Sequence, residues 1–292
     1  NLDQFCKEGI SFSQNYCPAP HCCPSRATFF SGLYPSEHGV WNNVEVANTL
    51  SRGLYEDVRL WSEDFKESGY DLYYSGKWHV SAVESPANRG WNMKDKKAGE
   101  TDEDSTIVYQ KPEANRWEDY KKIAQMEEKT KREEGEILRP GYPLYTHYGI
   151  ENNPFKDQPK VNDAIEKLKN REKSDKPWCQ FVGTLGPHDP YFVPEEFLNM
   201  YDKDDIKLPD NYYDEMANKP NLYKKTKEPF DQLSDEEHKE AIRHYLAFCS
   251  YEDYLFGQVL EALEETGEAE NTLVIYLSDH GDYMGEHGLW CK

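Results

Sequence analysis

The chain is 292 residues long and strongly acidic, with 55 Asp and Glu against 34 Lys and Arg and a net charge of −21. Such a length buries one large core or two modest ones. The charge argues against nucleic acid as a partner and requires any anion site to be locally basic. No run of about 18 apolar residues occurs, which excludes a membrane-spanning helix. The seven cysteines, at 6, 17, 22, 23, 179, 249 and 291, form neither a disulfide-rich framework nor the paired Cys-x-x-Cys spacing of a zinc site. The 21 Tyr and 7 Trp supply a core and leave rings to stack on a sugar or aryl group.

In chain order, the first informative stretch is Cys22-Cys23-Pro24-Ser25-Arg26-Ala27-Thr28-Phe29-Phe30-Ser31-Gly32. Pro24 suits a first helical turn, where its missing N–H costs nothing. The helix N-terminus then presents amides and positive dipole to whatever sits on Cys22, and Arg26 adds a cation one turn on. This reads as an anion cradle around one thiol; the competing reading is an inert, buried cysteine pair. Residues 54–68 carry helical spacing (Leu54, Val58, Leu60, Trp61, Phe65) and stop at Gly69. Tyr70–Ser75 predicts a short strand running into Gly76-Lys77-Trp78-His79, where Lys77 and His79 share a face if the chain stays extended. They read as a surface Lys with a structural His, or as a cation beside a proton carrier.

Residues 92–176 change character, being charged and poor in aliphatics, and predict an insertion. Met126–Glu134 within it reads as a solvated helix with charge pairs, or as part of a wall shaping a substrate pocket. Trp178–Leu185 predicts a buried strand, followed by Gly186-Pro187-His188-Asp189-Pro190, in which prolines restrict the reach of the imidazole. Residues 235–264 form the clearest helix, with an apolar stripe from Ile242 to Leu263. Thr272–Ser278 is a continuous apolar run expected to form a parallel strand buried on both faces. Asp279 and His280 at its end are a start for a metal site. Helices alternating with such strands predict an α/β fold, a mostly parallel central sheet sandwiched by helices, with ligands beyond the carboxyl ends of the strands.

Cys-x-Pro-Ser-Arg and the following Leu33–Gly39 segment resemble the signature of the sulfatase family, within the alkaline phosphatase superfamily. Gly-Lys-Trp-His at 76–79, Pro-His-x-Pro at 187–190, Asp279-His280 and the terminal Lys292 resemble that family's later motifs in the same order. The resemblance covers nearly the whole chain, least at 92–176, and implies an alkaline phosphatase/sulfatase-like fold with residues 1–292 forming an incomplete catalytic domain. It implies a sulfuric ester hydrolase in which Cys22 is oxidised by a formylglycine-generating maturation enzyme, the hydrated aldehyde being the nucleophile. Asp279, His280 and residue 22 would bind a divalent cation, calcium or another; Arg26, Lys77 and Lys292 would neutralise the transferring group. His188 with Lys292 would protonate the leaving alcohol, and His79 would take a proton to expel sulfate. His287 is expected to be structural.

The family's first strand carries an acidic pair that nothing before Cys22 supplies; Asn1–Phe5 resembles the helix after that strand, and the expected C-terminal subdomain does not follow Lys292. The expectation is therefore a fragment of a longer protein. The expected substrate is a small-molecule or saccharide sulfate ester, with carbohydrate, aryl and choline-like sulfates all open. A bacterial carbohydrate sulfatase would be periplasmic or secreted, the cytoplasm being left open otherwise. Alternatives are a phosphonate monoester or phosphodiester hydrolase of the same superfamily, or a non-catalytic relative that binds sulfated glycans.

Overall fold

A computed structural model describes residues 1–46, 49–95, 97–98, 131–138, 145–171 and 176–292. Much of the expected insertion, including 101–130 and hence the start of the Met126–Glu134 run, lies outside the described residues. The chain folds into two compact units. One comprises Asn1–Pro112, Asp157–Leu185 and Leu255–His280; the other comprises Glu113–Lys156, Gly186–Tyr254 and Gly281–Lys292.

In the first unit, strands Asp71–Gly76 and Trp178–Gly183 pair in parallel, residue by residue from Asp71 opposite Trp178 to Gly76 opposite Gly183. Tyr73 also bridges to Asn92. Helices Cys22–Ser31, Trp61–Glu67 and Asp157–Asn170 flank this pair, giving the expected α/β layering. The core is aromatic: Phe30 lies 4.9 Å from the Trp78 ring and 5.6 Å from Trp61, while Tyr74 stacks on Phe181 at 4.9 Å. Such pairs contribute ~0.5–1.5 kcal/mol each beyond their buried area.

Two glycines end the strand pair for a steric reason. Gly76 has φ +99°, and a Cβ there would fall 1.9 Å from the Gly183 carbonyl oxygen. The Lys77 N–H instead donates to that oxygen at 2.8 Å, turning the chain sharply into Lys77–His79.

Three expectations need correction. The helix predicted from residue 54 begins only at Trp61, because Leu60 is extended and the Glu63 carboxylate accepts its N–H in a capping box. Its apolar predecessors Leu54 and Val58 pack on the core from irregular backbone. The strand at 178 ends at Gly183 and is only half buried over most of its length. The run 272–278 is neither a strand nor buried: Leu273 and Ile275 are 85% and 70% exposed. No strand pairs with it among the described residues, so its backbone lacks a ladder.

In the second unit, Tyr148–Ile150 pairs in parallel with Tyr191–Val193, and Glu136–Ile137 with Tyr145–Thr146 antiparallel. Tyr191, Phe230, Ile137 and Trp290 fill its core. The Glu237 carboxylate anchors the segment outside these strands by accepting from Arg132, the Gly135 N–H and the Ser234 N–H. The predicted long helix spans Asp235–Glu265. No described helix is long and apolar enough to cross a membrane.

Candidate active site

Helix Cys22–Ser31 buries its N-terminal turn: Cys22, Cys23, Pro24 and Ser25 are all buried, with Pro24 in the first turn as its chemistry requires. The preceding His21 gives no side-chain cap, and the Asn43 side chain supplies one instead, its Oδ1 accepting the Cys23 N–H at 3.2 Å. At the other end Gly32, φ +72°, closes the helix by donating to the Thr28 carbonyl. Buried His38 donates from Nε2 towards Thr28 and accepts the Val40 N–H at Nδ1, so the Leu33–Gly39 motif serves the scaffold.

The first unit brings six expected site residues into one constellation. Cys22 Sγ lies 3.3 Å from His280 Nε2. Arg26 donates from Nε to Asp279 Oδ2 at 2.9 Å and from Nη1 to the Lys77 carbonyl at 2.9 Å. The Ser25 hydroxyl donates to the Asp279 carbonyl, locking residue 279 to the helix mouth. Lys77 is half buried, and its ammonium has no carboxylate partner among the described residues, leaving it available to an anion.

His79 follows at φ +54°, a left-handed conformation that only the surrounding structure can hold in a non-glycine residue. Its Nε2 lies 2.5 Å from Glu45 Oε2. Burial alone would lower its pKa, but hydrogen bonds to the Cys22 and Cys23 thiols and to Glu45 override that and raise it to about 11. In this state His79 is an imidazolium at neutral pH and a donor, where the sequence reading had it as a proton acceptor. To act as a base it must first pass its proton on, and Glu45 is the acceptor in reach.

Glu45, Cys23 and Asn43 are the functional neighbours that sequence reasoning missed. Each reaches the site through a fold contact with no spacing signature, Cys23 standing at the x of Cys-x-Pro-Ser-Arg.

Cys22, Asp279 and His280 converge closely enough to share a cation. As donors they number one carboxylate, one imidazole and one thiol, whereas calcium takes 6–8 oxygens. They fit part of a divalent-cation site and do not by themselves satisfy calcium.

In the second unit, His188 and Lys292 form a separate pair, with Lys292 Nζ donating to His188 Nε2 at 2.6 Å. On the other side of the ring, His188 Nδ1 lies 2.5 Å from the Asp189 carbonyl oxygen. Asp189 is largely buried, which would raise its pKa. His188, the Tyr145 hydroxyl and Lys292 outweigh that and hold it below the ordinary carboxylate value. His287 Nδ1 lies 2.7 Å from Asp214 Oδ2, and its backbone N–H donates to Asn211 Oδ1 at 3.0 Å.

The chain spans about half the length of the curated relatives it matches. It is 28% identical to an uncharacterised sulfatase of Escherichia coli K12, over all of this chain and 54% of that protein. Among solved structures it resembles the phosphonate monoester hydrolase of Agrobacterium radiobacter, with TM-score 0.68, 20% identity, and coverage of 100% of this chain and 59% of that one. It also resembles a protein solved in complex with its substrate D-glucosamine-2-N,6-O-disulfate, with TM-score 0.66, 19% identity, and coverage of 99% and 62%. Likeness at such identities establishes the α/β fold these chains share. The family profile described as Sulfatase matches residues 1–291, and the chain belongs to the sulfatase family.

Proposed function

We propose that this chain carries the nucleophile centre of a sulfuric ester hydrolase. The observation that supports it most directly is Cys22 in the first turn of a helix, with Arg26, Lys77, Asp279 and His280 gathered in the same unit. The family generally uses formylglycine and a metal ion. Formylglycine at residue 22 would supply a hydrated aldehyde as nucleophile, and Asp279, His280 and residue 22 would contribute this chain's share of the cation's ligands.

The chain's own residues then have separable tasks. The helix amides and dipole favour an anion at residue 22. Lys77 neutralises the bound group, and Arg26 orients Asp279 while lending its charge. His79 and Glu45 hold and move a proton beside residue 22. By family resemblance, His188 and Lys292 deliver the proton to the departing alcohol. A carbohydrate sulfate is the substrate class we favour, on the strength of the disulfated sugar bound by the structural relative; for a bacterial source that would mean a periplasmic or secreted enzyme.

Two measurements on the full-length protein test this reading. Peptide mass spectrometry is expected to show residue 22 lighter than a thiol after co-expression with a formylglycine-generating enzyme; an unmodified thiol would favour a glycan-binding relative. Matched aryl sulfate and aryl phosphonate esters are expected to give faster sulfate turnover. Faster phosphonate turnover would move the assignment to the phosphonate hydrolases that share the fold.

A further inference from the structure

Beside residue 22 stands a second constellation that hydrolysis uses only through His79. The Cys23 side chain is fully buried, and its Sγ lies 3.9 Å from Glu45 Oε2. The same carboxylate oxygen is 2.5 Å from His79 Nε2, and one donor atom from each of the three residues falls within 4.8 Å of the others. The thiol is fixed from two sides: its own N–H is held by Asn43, and its sulfur accepts the Val44 N–H at 3.4 Å. Glu45 and His79 keep 28% and 21% of their side chains exposed, which gives an ion a way in from solvent while the sulfur waits at the back.

Sulfur, imidazole nitrogen and carboxylate oxygen are the three donor types zinc binds, at about 2.3, 2.0–2.1 and 2.0–2.2 Å. Around a tetrahedral ion such bonds set donors about 3.3–3.7 Å apart, so the observed spread closes with shifts of about an ångström. A thiolate selects soft cations over calcium, which prefers an all-oxygen shell. With three protein ligands, the fourth position is left to water or to a substrate oxygen.

We infer that Cys23, Glu45 and His79 form a site for a thiophilic divalent cation of the zinc class, and that its occupancy takes His79 away from the chemistry at residue 22. The inhibition half rests on the hydrolase reading above; the binding half does not.

The test uses the full-length protein carrying Cys22→Ser, which removes the neighbouring thiol, titrated with Co2+ as a spectroscopic stand-in for Zn2+. The expected result is one equivalent of ion showing a thiolate-to-metal charge-transfer band, displaced by Zn2+ and retained in excess Ca2+. Adding Cys23→Ser should abolish the band, and Glu45→Gln should weaken binding about 10-fold or more, with circular dichroism confirming that both variants stay folded. No band in the parent, or a band that survives Cys23→Ser, overturns the site. The second arm uses the enzyme without Cys22→Ser, residue 22 converted to formylglycine: Zn2+ inhibition is expected, with the inhibition constant raised about 10-fold or more by Cys23→Ser. Binding without inhibition would overturn the withdrawal of His79 and leave the metal site standing.

Discussion

Helix Cys22–Ser31 and the run Thr272–Ser278 belong to the same unit and looked equally well specified as sequence, yet they end in opposite environments. The helix satisfies its backbone internally, and its side chains Ala27 and Phe30 are completely buried. The run 272–278 is richer in aliphatic residues but is exposed and unpaired among the described residues, and an extended segment needs a neighbour for its N–H and C=O groups before it can leave water. Apolar character makes burial favourable; hydrogen-bond partners make it permissible.

The largest expected effect sharpens the packed side of that contrast. Phe30→Ala removes the ring shared by Trp61, Tyr74, Trp78 and Phe181 and should cost ~3–5 kcal/mol in chemical denaturation. A loss below ~1 kcal/mol would mean this cluster is not the folding core.

The second unit supplies an electrostatic counterpart. His238 is buried, accepts the Trp290 indole N–H at 3.0 Å and stacks on that ring, and burial lowers its pKa to about 4. Between pH 6.5 and about 4 the unfolded chain binds this proton and the folded chain does not, so stability falls as pH falls through that window. The loss should reach roughly 3 kcal/mol below pH 4 and be absent in His238→Gln. An unchanged acid profile in that variant would remove His238 from the account.

Next comes the polar edge of the packed region. Glu45→Gln should lower the His79 pKa from about 11 only in part, because the contacts to the Cys22 and Cys23 thiols, the larger supports, remain; NMR titration of the imidazole reads the shift. In the active enzyme kcat should fall by about 10²-fold with little change in KM, as expected for a proton carrier that has lost its orienting partner. A His79 that titrates as before would show that Glu45 takes no part in holding its proton.

The smallest expected effect probes the exposed run. Leu273→Ser in this 292-residue chain should change stability by less than ~0.5 kcal/mol, since the side chain is 85% exposed. A loss of ~2 kcal/mol or more would show that a partner covers the run in solution and would erase the contrast.

The same contrast explains what could be foreseen. The Pro24 position in the first turn of its helix and the long helix from Asp235 were legible because each depends on neighbours within a few residues. The extended course expected at Lys77–His79 instead gave way to a left-handed His79 (φ +54°), just past the Lys77 N–H that donates to the Gly183 carbonyl. The late helix start at Trp61 was not, because Leu54 and Val58 have the right spacing for a helix but are held by core contacts from irregular backbone. At the site, Cys22, Arg26, Lys77, His79, Asp279 and His280 could be named from motifs, while Glu45 could not, because what ties it to the site is spatial: contacts to the Cys23 thiol 22 residues away and to the His79 ring 34 residues away.

The sequence by itself determined the family, the order of the motifs and the helix that carries Cys22, since local backbone chemistry and side-chain type suffice for these. Only the tertiary structure decided which groups share a proton, which carboxylate holds Arg26, and whether an apolar run becomes a strand. Those outcomes depend on distances between residues far apart in the chain and on the hydrogen-bond partners that folding brings to them.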